Sequence, residues 1–258
     1  MNNNQNQPII QTKNLTRLYG SAIAVNNLTL TIPHGQIFGF LGPNGAGKTT
    51  TIRMLTGLLK PTSGSIHITG IDIQKDPLTV KQRIGYLAQT PLLYDKLTGH
   101  EFLLFIGSLY GLADDHSHQR ATHLLELLNL TTKADQPIES YSGGMRHKIG
   151  LAAALIHQPP LLILDEPLTG LDPKSAWQVK ELLRQLCDQG HTIFLSTHVL
   201  EIAEKVCDRV GILQNGTLIT AGTLDTLRQQ AQSSANTTLE TLFLQLTEDT
   251  PAITSPGE

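Results

Sequence analysis

Eight consecutive residues, Gly42-Pro43-Asn44-Gly45-Ala46-Gly47-Lys48-Thr49, fit the pattern G-x-x-x-x-G-K-[ST] at every fixed position. That spacing suits the holding of a triphosphate, because glycines let backbone N–H groups crowd around phosphate oxygens without a side chain intervening. A short apolar run at 36–41 leads into the loop and helical spacing at 48–59 leaves it, so a helix N-terminus adds free donors and a positive dipole end. In such a loop Lys48 contacts the β- and γ-phosphates and the Thr49 hydroxyl ligates Mg²⁺. A second constellation lies further along, where Leu161-Leu162-Ile163-Leu164-Asp165-Glu166 is an apolar run ending in two acids. A buried strand there delivers both carboxylates to the carboxyl edge of a sheet, where α/β folds bind ligands. Asp165 suits a Mg²⁺ role, directly or from the second coordination sphere, and Glu166 suits the general base that polarises an attacking water.

The elements that must position these residues alternate along the chain. Strand patterns fall at 27–32, 36–41, 65–69, 85–88, 161–164, 192–196 and 210–213. Helical spacing falls at 48–59, 174–189 and 199–206, and a last amphipathic stretch at 238–246 reads as a docking helix. Between 91 and 157 the character changes: 101–110, 120–128 and 145–156 are helical, with no convincing strand among them. The order predicts an α/β domain, its sheet mostly parallel where helices cross over, with an all-helical insertion. Residues 1–8 and 249–258 read as loosely held tails.

Bulk properties narrow the function classes. The 258-residue chain is 40% hydrophobic and 16% charged, which suits a globular protein with a sizeable core. A net charge of −3 gives no basic excess for nucleic acid, so no nucleic-acid partner is expected. Cys187 and Cys207 form neither a metal-like pair nor a disulfide framework and read as idle thiols in a reducing compartment. The first seven residues lack the basic start and apolar segment of a secretory signal. The longest apolar run, 102–113, is interrupted by Ser108 and falls short of the roughly 20 residues a bilayer span needs. A cytoplasmic chain follows, reaching a membrane only through a partner.

With these residues in order, the chain resembles the ATP-binding-cassette family of ATPases. Tyr141-Ser142-Gly143-Gly144-Met145 is similar to that family's signature L-S-G-G-Q, just upstream of the acidic strand. Ser142 can cap the following helix while Gly143 and Gly144 expose backbone N–H groups, which makes a second anion site. Gln89 resembles the Q-loop glutamine, Gly170-Leu171-Asp172-Pro173 the D-loop, His198 the switch histidine and Tyr19 the aromatic that stacks on adenine. The resemblance spans about 9–247 and implies a RecA-like P-loop NTPase core with an antiparallel β subdomain and an inserted helical subdomain. In that scheme the ATP-binding domain is 9–231, with its core at 9–90 and 158–231 and its insertion at 91–157, and 232–258 is a C-terminal helix and tail. It implies catalytic roles for Lys48, Gln89, Glu166 and His198, and ATP contacts from Tyr19, residues 42–50 (Thr50 included), Ser142, Gly143, Gly144 and Asp172. It assigns Mg²⁺ to Thr49, Gln89 and Asp165. Two subunits, identical or not, would close head to tail over two ATP molecules at the cytoplasmic face of the cell membrane and drive integral permease subunits.

Two departures stand out: Met145 replaces the signature glutamine and Tyr141 the leucine. Tyr-Ser-Gly-Gly-Met resembles the variant of ABC-2 type exporters, as do Leu97-Thr98-Gly99-His100-Glu101, close to L-T-x-x-E, and Leu239-Glu240-Thr241-Leu242-Phe243, close to L-E-x-x-F. Export is therefore favoured over import. A soluble cassette ATPase of cofactor assembly, repair or translation is the alternative. Repair types need coiled-coil insertions and translation types usually carry two cassettes, and neither pattern is present in this sequence. His116, His118 and His123 lack distal ligands for a metal, and Trp177 reads as packing. Thr132-Lys133-Ala134-Asp135 resembles a guanine-reading box, but no D-x-x-G lies between it and the P-loop.

Overall fold

The wholly buried strand β3 (Ile37–Leu41) stands in the middle of a six-stranded sheet. Its apolar run is what a strand covered on both faces requires. The sheet, in this computed structural model describing residues 7–248, places β3 parallel to β8 (Thr192–Thr197) on one side and β9 (Arg209–Gln214) on the other. Beyond β8 come β7 (Leu161–Asp165) and β6 (Ile84–Leu87), both parallel, and β10 (Thr217–Gly222) closes the other edge antiparallel to β9. A separate antiparallel sheet has the order β2 (Ala22–Ile32), β1 (Ile10–Tyr19), β4 (Ser63–Ile68), β5 (Ile71–Asp72). The expected tails lie outside the described residues, apart from Gln7 and Pro8, which lead into β1.

Helices α1 (Lys48–Leu55), α2 (Pro77–Gln82), α6 (Pro173–Asp188), α7 (Leu200–Val206), α8 (Leu224–Gln230) and α9 (Leu239–Glu248) accompany the sheets. The stretch between β6 and β7 holds α3 (Gly99–Leu109), α4 (Asp114–Leu127) and α5 (Gly143–Leu155), with no strand. This is the mixed α/β architecture with a helical part that the sequence pattern predicts. Alternate residues of the central strands face two cores. One core joins Ile37, Leu162 and Leu164 to Phe102, Leu124 and Ile149 of the helical part. The other joins Phe38, Phe40 and Phe194 to Ile52 and to Ile10, Leu28 and Ile66 of the antiparallel sheet. Phe194 stacks on Phe38 with centroids 5.8 Å apart.

Three differences from the sequence pattern have local causes. Strand β1 escapes an alternation test because its pairing shifts register between Thr12 and Leu15 and twice more before Tyr19, with Asn14 at φ 47°. Helix α1 stops at Leu55 rather than 59, because Gly57 takes φ 68° just beyond the C-cap Thr56. Helices α2 and α8 are too short to show a period, and β10 is an edge strand of intermediate burial.

The L-T-x-x-E segment proves to be a capping box. Glu101 N–H donates to Thr98 Oγ1 at 3.1 Å and Thr98 N–H donates to Glu101 Oε2 at 2.9 Å, closing the start of α3. Tyr141 is buried against Gly99 and its hydroxyl donates to the Lys133 carbonyl at 2.8 Å. The departure from leucine at position 141 is therefore an added anchor between the signature segment and the helical part.

Candidate nucleotide site

Helix α1 starts at Lys48 with Gly47 as its N-cap and no side-chain cap, whereas Thr98, Ser142 and Asp172 close α3, α5 and α6. Its first N–H groups stay available to an anion. Gly47 has φ 104°, and the Ala24 carbonyl lies where a Cβ would sit, so only glycine fits. Lys48 is 6% exposed; its Nζ donates to the Gly42 carbonyl at 2.7 Å and the Pro43 carbonyl at 3.2 Å, and stands 3.9 Å from Glu166 Oε1. Burial pushes the Lys48 pKa below its ordinary value, against the opposing pull of Glu166 and Asp165. A partly desolvated cation over an open helix end is an electrostatic socket for a polyphosphate.

One pocket gathers these groups. Pro43, Asn44, Gly45, Gly47 and Lys48 line it from the loop, and Thr49 and Thr50 from the first turn of α1. Gln89, two residues past β6, and Glu166, one past β7, complete it. Ala24 of β2 also lines it; nothing in the sequence marks that alanine, whose part comes from the second sheet folding over the loop. Gly42 lines a neighbouring cavity with His198, and Ala46 is buried, with its carbonyl accepting from Gly216 N–H at 3.0 Å.

Strand pairing assembles the acids. Asp165 pairs in register with Ser196 of β8. The Ser196 hydroxyl donates to Asp165 Oδ1 at 2.6 Å and accepts from Glu166 N–H at 3.0 Å. Glu166 is buried and holds φ 52°, a left-handed conformation that costs a non-glycine residue about 1–2 kcal/mol. That turn presents its carboxylate to His198, whose Nδ1 lies 2.9 Å from Oε1, and to Thr169, whose hydroxyl donates to Oε2 at 3.3 Å. Residue type and spacing assign no role to Ser196 or Thr169; the signal for Ser196 is its place in Ser196-Thr197-His198 at the end of a strand.

Other sequence candidates lie apart from this pocket. Ser142 caps α5 by accepting from Met145 N–H at 3.3 Å, and Gly144 approaches Leu171 of the D-loop segment. Asp172 caps α6 by accepting from the N–H groups of Lys174 and Ser175, each at 3.1 Å. None of these is among the residues lining the pocket around Lys48. Tyr19 ends β1, 48% exposed, with the Arg17 guanidinium 4.7 Å over its ring, and is not among those lining residues either. Gly143 has open space where a side chain would go.

A phosphate-cradling loop opening a helix, an acid pair at the adjacent strand edge and a parallel sheet around them define a P-loop nucleoside triphosphatase. A family model described as ABC transporter matches residues 25–169. The chain is 42% identical over 215 residues to the linearmycin resistance ATP-binding protein LnrL of Bacillus subtilis (strain 168), covering 83% of this chain and 69% of that one. A solved ATP binding subunit of an ABC transporter superposes with TM-score 0.87 at 34% identity, over 93% of this chain and 99% of that chain. The dimeric post-hydrolysis cassette MJ0796, bound to ADP and Pi, superposes with TM-score 0.78 at 27% identity, over 83% of this chain and 98% of that chain. This chain belongs to the ABC transporter family, as an ATP-binding and ATP-hydrolysing subunit.

Proposed function

We propose that the subunit powers export through separate membrane subunits, and that two cassettes close over ATP to do so. The observation that carries the reading is the division of the chain's anion sites. Lys48 and Glu166 share one pocket, while the turn of Ser142, Gly143 and Gly144, its first two residues exposed, is no part of that pocket's lining. A second subunit brings its own copy of that turn onto the γ-phosphate, in keeping with the dimeric MJ0796 cassette. ATP then favours the closed state because only there does the γ-phosphate meet both sites.

Within that state each residue has a task. The loop from Gly42 to Thr50 and Lys48 hold the phosphates, and Tyr19 offers a face to adenine. Glu166 takes a proton from the water as its oxygen attacks the γ-phosphorus, the bond to the β-γ bridging oxygen breaks, and ADP and phosphate depart. His198, hydrogen-bonded to Glu166, orients that carboxylate and contacts the γ-phosphate. Thr49, Gln89 and Asp165 suit Mg²⁺, since they offer oxygen donors and Thr49 and Gln89 line the pocket itself. Held there, Mg²⁺ would supply neutralisation of the phosphate charge. Asp172 stiffens the turn at the dimer seam by capping α6.

Coupling to the permease runs through the helical insertion. An apolar groove lined by Leu92, Phe102, Ile106, Leu109 and Tyr110 opens where the Gln89 segment meets α3, and Leu92 there is 94% exposed. A membrane subunit's cytoplasmic segment is the occupant we assign to it. In this reading that contact holds the subunit at the cytoplasmic face; no helix among the described residues is long and apolar enough to cross a membrane. Likeness to LnrL and the Tyr-Ser-Gly-Gly-Met spelling both support export. Affinity purification from its host tests this: a polytopic membrane protein in stoichiometric complex supports it, and a soluble partner in comparable amount sinks it.

A further inference from the structure

We propose that the C-terminal helix α9 is a positioning element for His198, acting through Phe243. The proposal rests on the reading that His198 works at the γ-phosphate. Helix α9 lies beyond the residues that the family model matches, yet Leu239 and Leu242 are fully buried. Their cluster contains Leu41, the residue before Gly42, together with Ala203 of α7 and Ile212 of β9. One apolar cluster thus joins α9 to α7 of the switch segment and to the strand that leads into the phosphate loop.

The switch segment needs that support. Helix α7 starts two residues after His198, has seven residues and no side-chain N-cap, so its position must come from tertiary packing. The His198 side chain is 44% exposed and oriented through Nδ1 toward Glu166. Phe243 and Leu200 pack half-buried on the α9 cluster, and with Pro43, Asn44 and His198 they line one cavity beside the phosphate loop. Arg228 Nε donates to the Thr237 carbonyl at 3.1 Å just before α9, and Ser233 donates to Gln245 Oε1 at 2.7 Å in its second half. Phe243 is the residue by which α9 reaches the cavity that His198 also lines.

Steady-state ATP hydrolysis by the full chain tests this. Phe243→Ala should lower kcat on the order of tenfold with KM for ATP unchanged, as for a displaced group that acts in the transition state. Phe243→Leu should restore most of the rate with a thermal midpoint near that of the unaltered protein, while Phe243→Ala should lower the midpoint only by what the loss of a half-buried ring implies. In a His198→Ala background, Phe243→Ala should cost nothing further, because the group it positions is gone. An equal loss in both backgrounds, or a rise in KM with a falling midpoint, overturns the positioning role. Full activity in His198→Ala alone overturns the reading beneath it, which separates the two failures. Should the His198→Ala rate be too low to divide, ring resonances of His198 decide: they should shift in Phe243→Ala but not in Leu78→Ala, at an exposed position of α2 that does not line the His198 cavity, and unmoved resonances overturn the proposal.

Discussion

Glu166 Oε1 and His198 Nδ1 stand 2.9 Å apart although 32 residues separate them in the chain. The parallel pairing of β7 with β8 makes the contact, because Asp165 and Ser196 are in register and both strands end at the same edge. The left-handed turn at Glu166 then swings its carboxylate over that edge.

Replacing Glu166 by Gln keeps the shape of the side chain and removes its basicity. ATP binding should persist while hydrolysis falls on the order of a hundredfold to ten-thousandfold, the range general-base catalysis supplies. Subunits should accumulate as ATP-bound dimers, since closure no longer ends in product. Phosphate release, equilibrium nucleotide binding and size-exclusion chromatography read the three outcomes, and an unchanged release rate removes Glu166 from the role of base.

Gly143→Ala separates folding from function. A Cβ at 143 meets nothing within 4 Å and the residue lies in the first turn of α5, so the folded subunit should keep its stability or gain up to roughly 1 kcal/mol in helix preference. The methyl would stand where the partner's γ-phosphate must approach. Thermal melting should therefore be unchanged or raised, while ATP-dependent dimerisation and hydrolysis fall together. A variant that dimerises normally would refute the second anion site.

His157 joins the helical part to the central sheet, with Nε2 3.1 Å from the Ile84 carbonyl and its ring stacked on Tyr110 at 3.6 Å. Because that partner is a carbonyl, Nε2–H is the donor. Burial pulls its pKa from 6.5 down to about 4, against the smaller upward pull of that hydrogen bond. Above pH 6.5 the ring is neutral in folded and unfolded chains alike. As pH falls from 6.5 to about 4 only the unfolded chain takes up the proton, so stability is lost over that window, by at most about 3.5 kcal/mol. His157→Gln retains an N–H donor without the titration; its thermal midpoint should fall less steeply across the window, and parallel curves would exclude the histidine as the cause.

Tyr141→Phe should cost about 1 kcal/mol, the usual net worth of one intramolecular hydrogen bond, because the Lys133 carbonyl loses its donor. Chemical denaturation reads the loss. A variant as stable as its parent would mean that the tyrosine holds the signature segment by packing alone.

Chemistry that depends on neighbours in the chain is legible in the sequence alone. Lys48 follows its glycines directly and Asp165 and Glu166 end an apolar run, so residue type and spacing are enough for both sites. The apolar runs at β3, β7 and β8 and the helical spacing of α3 to α5 are equally open, since burial on two faces or one stripe imposes its own period. Strand β1 is hidden by its register shifts, and the part of Ala24 in the pocket by the plainness of alanine.

By itself, then, the sequence determined which groups could hold and cleave a triphosphate and which segments would carry them. Tertiary structure alone decided which groups meet. Register between parallel strands put Ser196 on Asp165 and His198 on Glu166, and packing of Leu239 and Leu242 brought Phe243 to the edge of the phosphate loop. Those contacts join residues far apart in the chain, and they form only when apolar surfaces from several elements are buried together, which no local pattern encodes.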